Sequence, residues 1–390
     1  MITPNTKYKK EEKKIPTLRF PGFEGDWEFK KFGEIVKNIS SGKIKPEKEG
    51  RFIVYGSTGV IGRCNKFSHN GKYLLVARVG ANAGTINCVE GVFGVTDNTL
   101  VIDPQESVDL DFTHSALLRF NLNKLIFGSG QPLITGGQLK SIRLTIPSLP
   151  EQQKIASFLS AVDQKIQQLT RKKELLELYK KGVMQKIFPP VGGQAPEIRF
   201  KDENGNDFPD WEVIRAKDVF KNHSNKNHNG DLPILAASQK RGMVYRDSID
   251  IQIKSSEASV KSYKVVEKGD FVISLRSFQG GIEYSYLNGI CSPAYTILKP
   301  VIPIIDAFFK FYFKKEDFIE RLSKTIIGIR DGKQITYENF GWLKLNIPSN
   351  AEQQKISLFL SNIDNKIESI KTQINQTQKF KKGLLQQMFV

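Results

Sequence analysis

The sequence predicts a mixed α/β (α+β) chain built twice, each copy a globular half that runs into a long helix. Two observations carry this. Residues 146–188 and 347–389 align without a gap at a constant offset of 201, with 19 of 43 positions identical, which marks an internal duplication. The segments before them, 15–147 and 191–348, repeat more loosely: Leu18-Arg19-Phe20 with Asp26-Trp27-Glu28 returns as Ile198-Arg199-Phe200 with Asp210-Trp211-Glu212.

Taken in order, residues 1–14 (MITPNTKYKKEEKK) read as a flexible basic tail, with no apolar core of a signal peptide. In the first half, Tyr73–Gly80 is a buried-strand pattern with Arg78 near its end, Leu100–Ile102 is a second strand, and a helix is expected around 109–120. The segment 148–190 is the first long helix and a hinge. Ser148 stands three residues before Glu151 in the spacing of a capping box. Ile155, Leu159, Val162, Ile166, Leu169, Leu176, Val183 and Ile187 then recur at spacings close to four and three, the seam of a coiled coil. Pro189–Pro196 is Pro- and Gly-rich, as a hinge requires.

The second half repeats the frame. Asp270–Arg276 and Tyr295–Leu298 read as strands, followed by a helix around 306–322 whose aromatics Phe308, Phe309, Phe311, Tyr312 and Phe313 belong to a core. Segment 349–390 is the second long helix, with Ser349 and Glu352 at its start and a seam of Ile356, Leu360, Ile363, Ile367, Ile370, Ile374, Leu384 and Met388. At 1.5 Å per residue each rod is about 55–60 Å long.

The net charge of +17 is spread over every segment, a distribution that suits a long polyanion better than a point-like acidic substrate. Three cysteines, Cys64, Cys88 and Cys291, share no metal or redox spacing and read as reduced thiols. No run is long and apolar enough to span a membrane, and a cytoplasmic protein is expected. Enzyme signatures are sparse: there is no GxxxxGK[ST] phosphate loop and no Asn/Asp-Pro-Pro-aromatic tetrapeptide. Asp-x-Lys triplets at Asp163/Lys165, Asp364/Lys366 and Asp331/Lys333 lack convincing nuclease partners, and His223 and His228 lie in a polar loop without ligand spacing.

Base-reading chemistry has better candidates. Tyr55–Arg63 is a glycine-rich loop carrying Ser57, Thr58 and Arg63, and Ala237–Gly242 is its rough counterpart with Gln239, Lys240 and Arg241. Such side chains read base edges through paired hydrogen bonds. Arg78 and Arg276 stand at equivalent strand ends, and Asn82, Asn98, Gln279 and Gln334 complete the DNA-contact candidates. Glycine inside a helix costs about 1 kcal/mol, so Lys180-Lys181-Gly182 and Lys381-Lys382-Gly383 are candidate surfaces for another chain.

The paired IPSLPEQQKIASFLSAVDQKI and IPSNAEQQKISLFLSNIDNKI segments, the LRFPGFEGDWE opening, the ARVGANAG and VTDNTLV blocks and the YGSTGVIG loop together resemble the specificity subunits of type I restriction–modification systems. The resemblance covers nearly the whole chain. It departs where VTDNTLV becomes CSPAYTIL. It implies two target-recognition domains (15–147 and 191–348), each reading half of a split double-stranded DNA target. Two antiparallel coiled-coil helices would hold them apart about a pseudo-twofold axis. It also implies two modification subunits that methylate adenine at N6 from S-adenosylmethionine, and two ATP- and Mg-dependent restriction subunits. The chain itself would bind no cofactor or metal and hold no catalytic centre. A stand-alone nuclease or methyltransferase with fused recognition domains is the alternative, but readers and rods leave no length for a catalytic domain. A purely protein-binding coiled-coil scaffold would leave the glycine-rich loops and the spread charge unexplained.

Overall fold

The structure, a computed structural model, describes residues 15–126, 132–189, 195–249, 257–325 and 335–390. The tail at 1–14, most of the Pro189–Pro196 hinge, the Asp331/Lys333 triplet and Gln334 lie outside them. The chain divides into two compact units, one of residues 1–171 with 371–390 and one of 172–370. Each long helix, Leu149–Ile187 and Asn350–Gln387, is continuous and contributes to both.

In the first unit, strand Glu28–Lys31 pairs antiparallel with Arg143–Ile146, so the two ends of the globule meet in one ribbon beside the start of the central helix. The second unit repeats the device with Glu212–Arg215 and Lys344–Ile347. The tryptophan that precedes each ribbon is buried. Trp27 packs its ring on Phe389 at 6.4 Å and Trp211 on Phe188 at 6.5 Å, and those two phenylalanines are themselves 201 residues apart. Leu384, Met388 and Phe389 lie in one core with Ile155, Leu159 and Val162, while Val183, Ile187 and Phe188 lie in one core with Ile356, Leu360 and Ile363. Within each unit, then, the start of one long helix lies beside the end of the other, which is antiparallel packing.

The shared glutamates have a different role from the capping box. Glu151 is 1% exposed and receives both Nε and Nη2 of Arg19 at 2.8 Å and the Trp27 indole N–H at 3.3 Å. Glu352 takes Arg199 in the same way at 3.0 and 2.9 Å. In the first unit both the Arg-Phe and the Asp-Trp motif are thereby tied to the helix start; in the second only Arg199 is, since the Trp211 indole N–H has no partner among the described residues. The next glutamines add a second tie: Gln152 accepts from Asp109 N and donates to Pro147 O, and Gln353 does the same for Ile305 N and Pro348 O.

The first unit's sheet has six strands, in the order Val36–Ser41, Thr99–Pro104, His69–Ala77, Ile86–Val95, Phe52–Gly56, Gly59–Cys64. It curls strongly. His69 lies opposite Phe93 on one side while Ala77 lies opposite Thr99 on the other, a separation of about 26 Å along a flat strand. The four links from Val95 to Thr99 reach about 14 Å at most, so the sheet must roll to let that turn close. Residues 42–47 bridge its edges, with Gly42 N on Thr99 O, Ile44 N on Val95 O and Glu47 N on Arg63 O. Gly42 is required there, since a Cβ would meet Val95 O at 2.1 Å. The helix Leu110–Phe120 is capped by Asp109, whose carboxylate accepts from Phe112 N at 2.8 Å.

The second unit is more broken: its described residues form a four-stranded sheet (Phe220–His223, Thr296–Pro300, Phe271–Ile273, Glu283–Tyr284) and three two-stranded ribbons, one of them the ribbon already described. The expected single helix around 306–322 is two, Asp306–Tyr312 and Glu316–Lys324. The break turns Lys314 and Lys315 inward, to Glu283 and to Pro189 O. The five aromatics at 308–313 are all buried. All three cysteines are free, and no described helix is long and apolar enough to cross a membrane.

Candidate nucleic-acid interface

The first unit gathers most of its candidate residues at three adjoining turns. The Tyr55–Arg63 stretch is a β-hairpin whose two-residue turn is Ser57-Thr58. Thr96 N donates to Tyr55 O at 3.0 Å, which sets the 96–98 turn against that hairpin, and Arg78 N donates to Asn98 O at 2.9 Å, which sets it against the end of the His69–Ala77 strand. Thr58, Asn82 and Asn98 are exposed, with Asn82 in the short helical turn Gly80–Asn82. Arg78 is half-buried, and its Nε has no partner among the described residues. Arg63 differs from the rest: it lies on a strand, and its guanidinium donates to the carbonyls of Gly50 and Arg51, so it holds its own loop.

In the second unit, Gln239, Lys240 and Arg241 form the exposed turn between strands Leu235–Ser238 and Gly242–Tyr245. Arg276 does not match Arg78 in detail. It stands three residues beyond strand Phe271–Ile273, occupies the N-cap position of the short helix Ser277–Gly280 without a side-chain capping bond, and is exposed, as is Gln279. His228 is structural: its Nδ1 accepts from Gly230 N at 3.0 Å, which leaves Nε2 to donate to Tyr263 O at 3.1 Å.

Sequence reading missed the group that joins these two loops. The Lys314 ammonium donates to Gln239 O at 3.3 Å, Gly280 O at 2.7 Å and Glu283 Oε1 at 2.7 Å. Burial pushes the Lys314 amine down and the Glu283 carboxyl up, each towards its neutral form, and their contact opposes both shifts. Nothing in the local sequence separates Lys314 from any surface lysine. Lys314→Met alone would leave Glu283 buried without its cation, at about 3–5 kcal/mol. Lys314→Met with Glu283→Gln is expected to keep the fold while amide exchange at 239–241 and 277–280 quickens about tenfold or more, from the loss of charge-assisted bonds. Unchanged exchange in the double variant would show that the lysine does not hold these loops.

The long helices place the proposed partner residues in two kinds of setting. Lys180 bonds Asp364 at 2.6 Å and Lys381 bonds Asp163 at 2.6 Å, so the Asp-x-Lys carboxylates on the rods serve interhelix ion pairs. Lys181 pairs at the surface with Glu316, and Lys382 is exposed. A Cβ built on Gly182 or Gly383 meets nothing within 4 Å. No close approach among the described residues therefore accounts for either glycine.

Comparison with known proteins agrees with this architecture. Residues 24–178 and 209–379 each match the model of the type I restriction modification DNA specificity domain. The chain is 28% identical over 413 residues to the type I restriction enzyme MjaVIII specificity subunit of Methanocaldococcus jannaschii, covering 97% of this chain and 95% of that one. It is 31% identical over 153 residues to the EcoprrI specificity subunit of Escherichia coli, covering 37% and 38%. Its fold is similar to the crystal structure of a type I restriction-modification S subunit from M. genitalium. The TM-score is 0.60 at 17% identity, covering 96% of this chain and 99% of that one.

Proposed function

This chain belongs to the type I restriction–modification DNA specificity family, with two target-recognition domains, and on that premise we propose that each unit reads one half of a two-part double-stranded DNA target. The observation that carries the reading is that the specificity domain occurs twice in one chain, on a repeated frame whose exposed turns differ. Divergent turns on a repeated scaffold suit two readers of the same kind with different targets. In the first unit the reading turns carry Ser57, Thr58, Arg78, Asn82 and Asn98, and in the second Gln239, Lys240, Arg241, Arg276 and Gln279. Gln334 is a further candidate outside the described residues.

In this reading the chain is the addressing component of a larger assembly in the cytoplasm. Two modification subunits dock on the long helices, where Lys181, Gly182, Lys382 and Gly383 leave surface open, and two restriction subunits join through them. S-adenosylmethionine, ATP and Mg are bound by those partners, and this chain neither transfers the methyl group nor cuts. The target adenine leaves the stack during methylation, since its N6 cannot be reached within the duplex. That places the reading turns on bases around the adenine rather than around its reacting atom.

Methylation mapping tests this. The full chain, co-expressed with its modification subunits, is expected to give one split methylated motif that vanishes when the chain is omitted. Replacing residues 15–147 with the same segment of a relative is expected to change one half of that motif and leave the other. A change in both halves would overturn the assignment of one half-site to each unit.

A further inference from the structure

We propose that the depression between the 57–58 and 96–98 turns of the first unit is the pocket that reads a base edge in that unit's half-site. The inference rests on the DNA-reading function above and assigns residues to it. The depression has a volume of about 290 Å³ and is lined by Lys45, Ser57, Ile61, Thr96, Asp97 and Asn98 among others.

Its polar groups are uncommitted. Thr96 is only 6% exposed, yet its hydroxyl has no partner among the described residues. Leaving a buried hydroxyl unsatisfied is unfavourable, and a ligand that supplied the missing bond would recover that loss. Lys45 and Asp97 stand exposed at the rim, and neither makes an ion pair among the described residues, unlike Lys72 and Asp111 of the same unit, which bond at 2.6 Å.

The backbone beneath is fixed. Bonds from Thr96 N to Tyr55 O, Ile44 N to Val95 O and Arg78 N to Asn98 O hold the lining segments at 2.9–3.0 Å. Backbone held in this way gives the lining side chains a fixed base, from which the Thr96 hydroxyl can turn to meet a ligand.

The mixture of groups selects the ligand. A phosphate would meet the Asp97 carboxylate, a repulsion that a phosphate-binding site avoids. Base edges in the major groove carry donors and acceptors side by side. Lys45 can donate to guanine O6 and N7, Asp97 can accept from a cytosine or adenine amino group, and Asn98 can do both for adenine. Ile61, 40% exposed at the wall, offers an apolar surface to a thymine methyl. The pocket therefore suits a base-pair edge and not the sugar–phosphate backbone.

Asp97→Asn and Thr96→Val, each in the full chain assembled with its modification subunits, test this by methylation mapping and by binding to specific and random duplexes. Asp97→Asn is expected to alter the preference at one base position of one half-site, with the other half-site unchanged. Thr96→Val, nearly isosteric, is expected to leave the melting temperature equal or higher. It should lower specific affinity about tenfold and leave random-DNA affinity as it was. Wild-type motif and occupancy in both variants would overturn the pocket while leaving the wider reading in place. So would losses of equal size on specific and random DNA. No methylated motif from the unaltered complex would overturn the wider reading, and the pocket with it.

Discussion

Replacing Arg19 with alanine is expected to destabilise the first unit by about 3–5 kcal/mol, the cost of stranding a buried carboxylate. Arg19 closes a bidentate pair on Glu151, whose side chain is 2% exposed, and also donates to the carbonyls of Glu24 and Gly25. Removing it leaves Glu151 with only the Trp27 indole as side-chain donor among the described residues. Domain stability as a whole is about 5–15 kcal/mol, so the loss is a large fraction of it. Arg199→Ala is expected to act alike on the second unit through Glu352. Adding Glu151→Gln to Arg19→Ala removes the stranded charge but keeps an acceptor for Trp27, and is expected to recover most of the loss. Denaturant melts of the three variants, with amide exchange read around 149–159, check this. A single variant that melts like the unaltered chain would show that the pair only decorates the helix start.

Periodicity and repetition made the frame legible in the sequence. The seam residues from Ile155 to Val162 and from Ile356 to Ile363 are buried as their spacing implied, and the helix expected around 109–120 runs from Leu110 to Phe120. Partner choice was not legible. Ser148-x-x-Glu151 has the capping-box spacing, yet the glutamate turns to Arg19, more than a hundred residues away in sequence. Only a fold that brings the Arg-Phe motif to the helix start could reveal that. The same limit hid Lys314, whose three partners come from two segments distant from it in sequence, and it made Arg63 look free when Gly50 and Arg51 occupy it. The Tyr55–Arg63 loop became a hairpin because its two-residue turn is followed by Gly59 at a φ of 95°, the left-handed region that glycine tolerates. Glycines there served strand reversal as well as surface display.

A chain ended after Phe188 is expected to fold as a symmetric dimer rather than a monomer. In the full chain the first unit's core is completed by Leu384, Met388 and Phe389 from the distal helix. Without them, Trp27 and Phe112 lose the Phe389 ring they pack on at 6.4 and 5.2 Å, and three buried side chains at about 1.5–3 kcal/mol each are missing. That deficit approaches the stability of a small domain. The half-chain carries its own replacement in Val183, Ile187 and Phe188, which stand 201 residues before the three lost residues. It also keeps Asp163 and Lys180, the latter equivalent to Lys381, which closes the ion pair with Asp163 in the full chain. A second copy can supply all four groups while receiving the same four, an isologous exchange that closes at two subunits. Sedimentation or light scattering is expected to give twice the monomer mass. Lys180→Glu should weaken the dimer, and Asp163→Lys added to it should restore association by exchanging the charges. A folded half-chain that stays monomeric at tens of micromolar would show that the distal helix end is dispensable to the first unit's core.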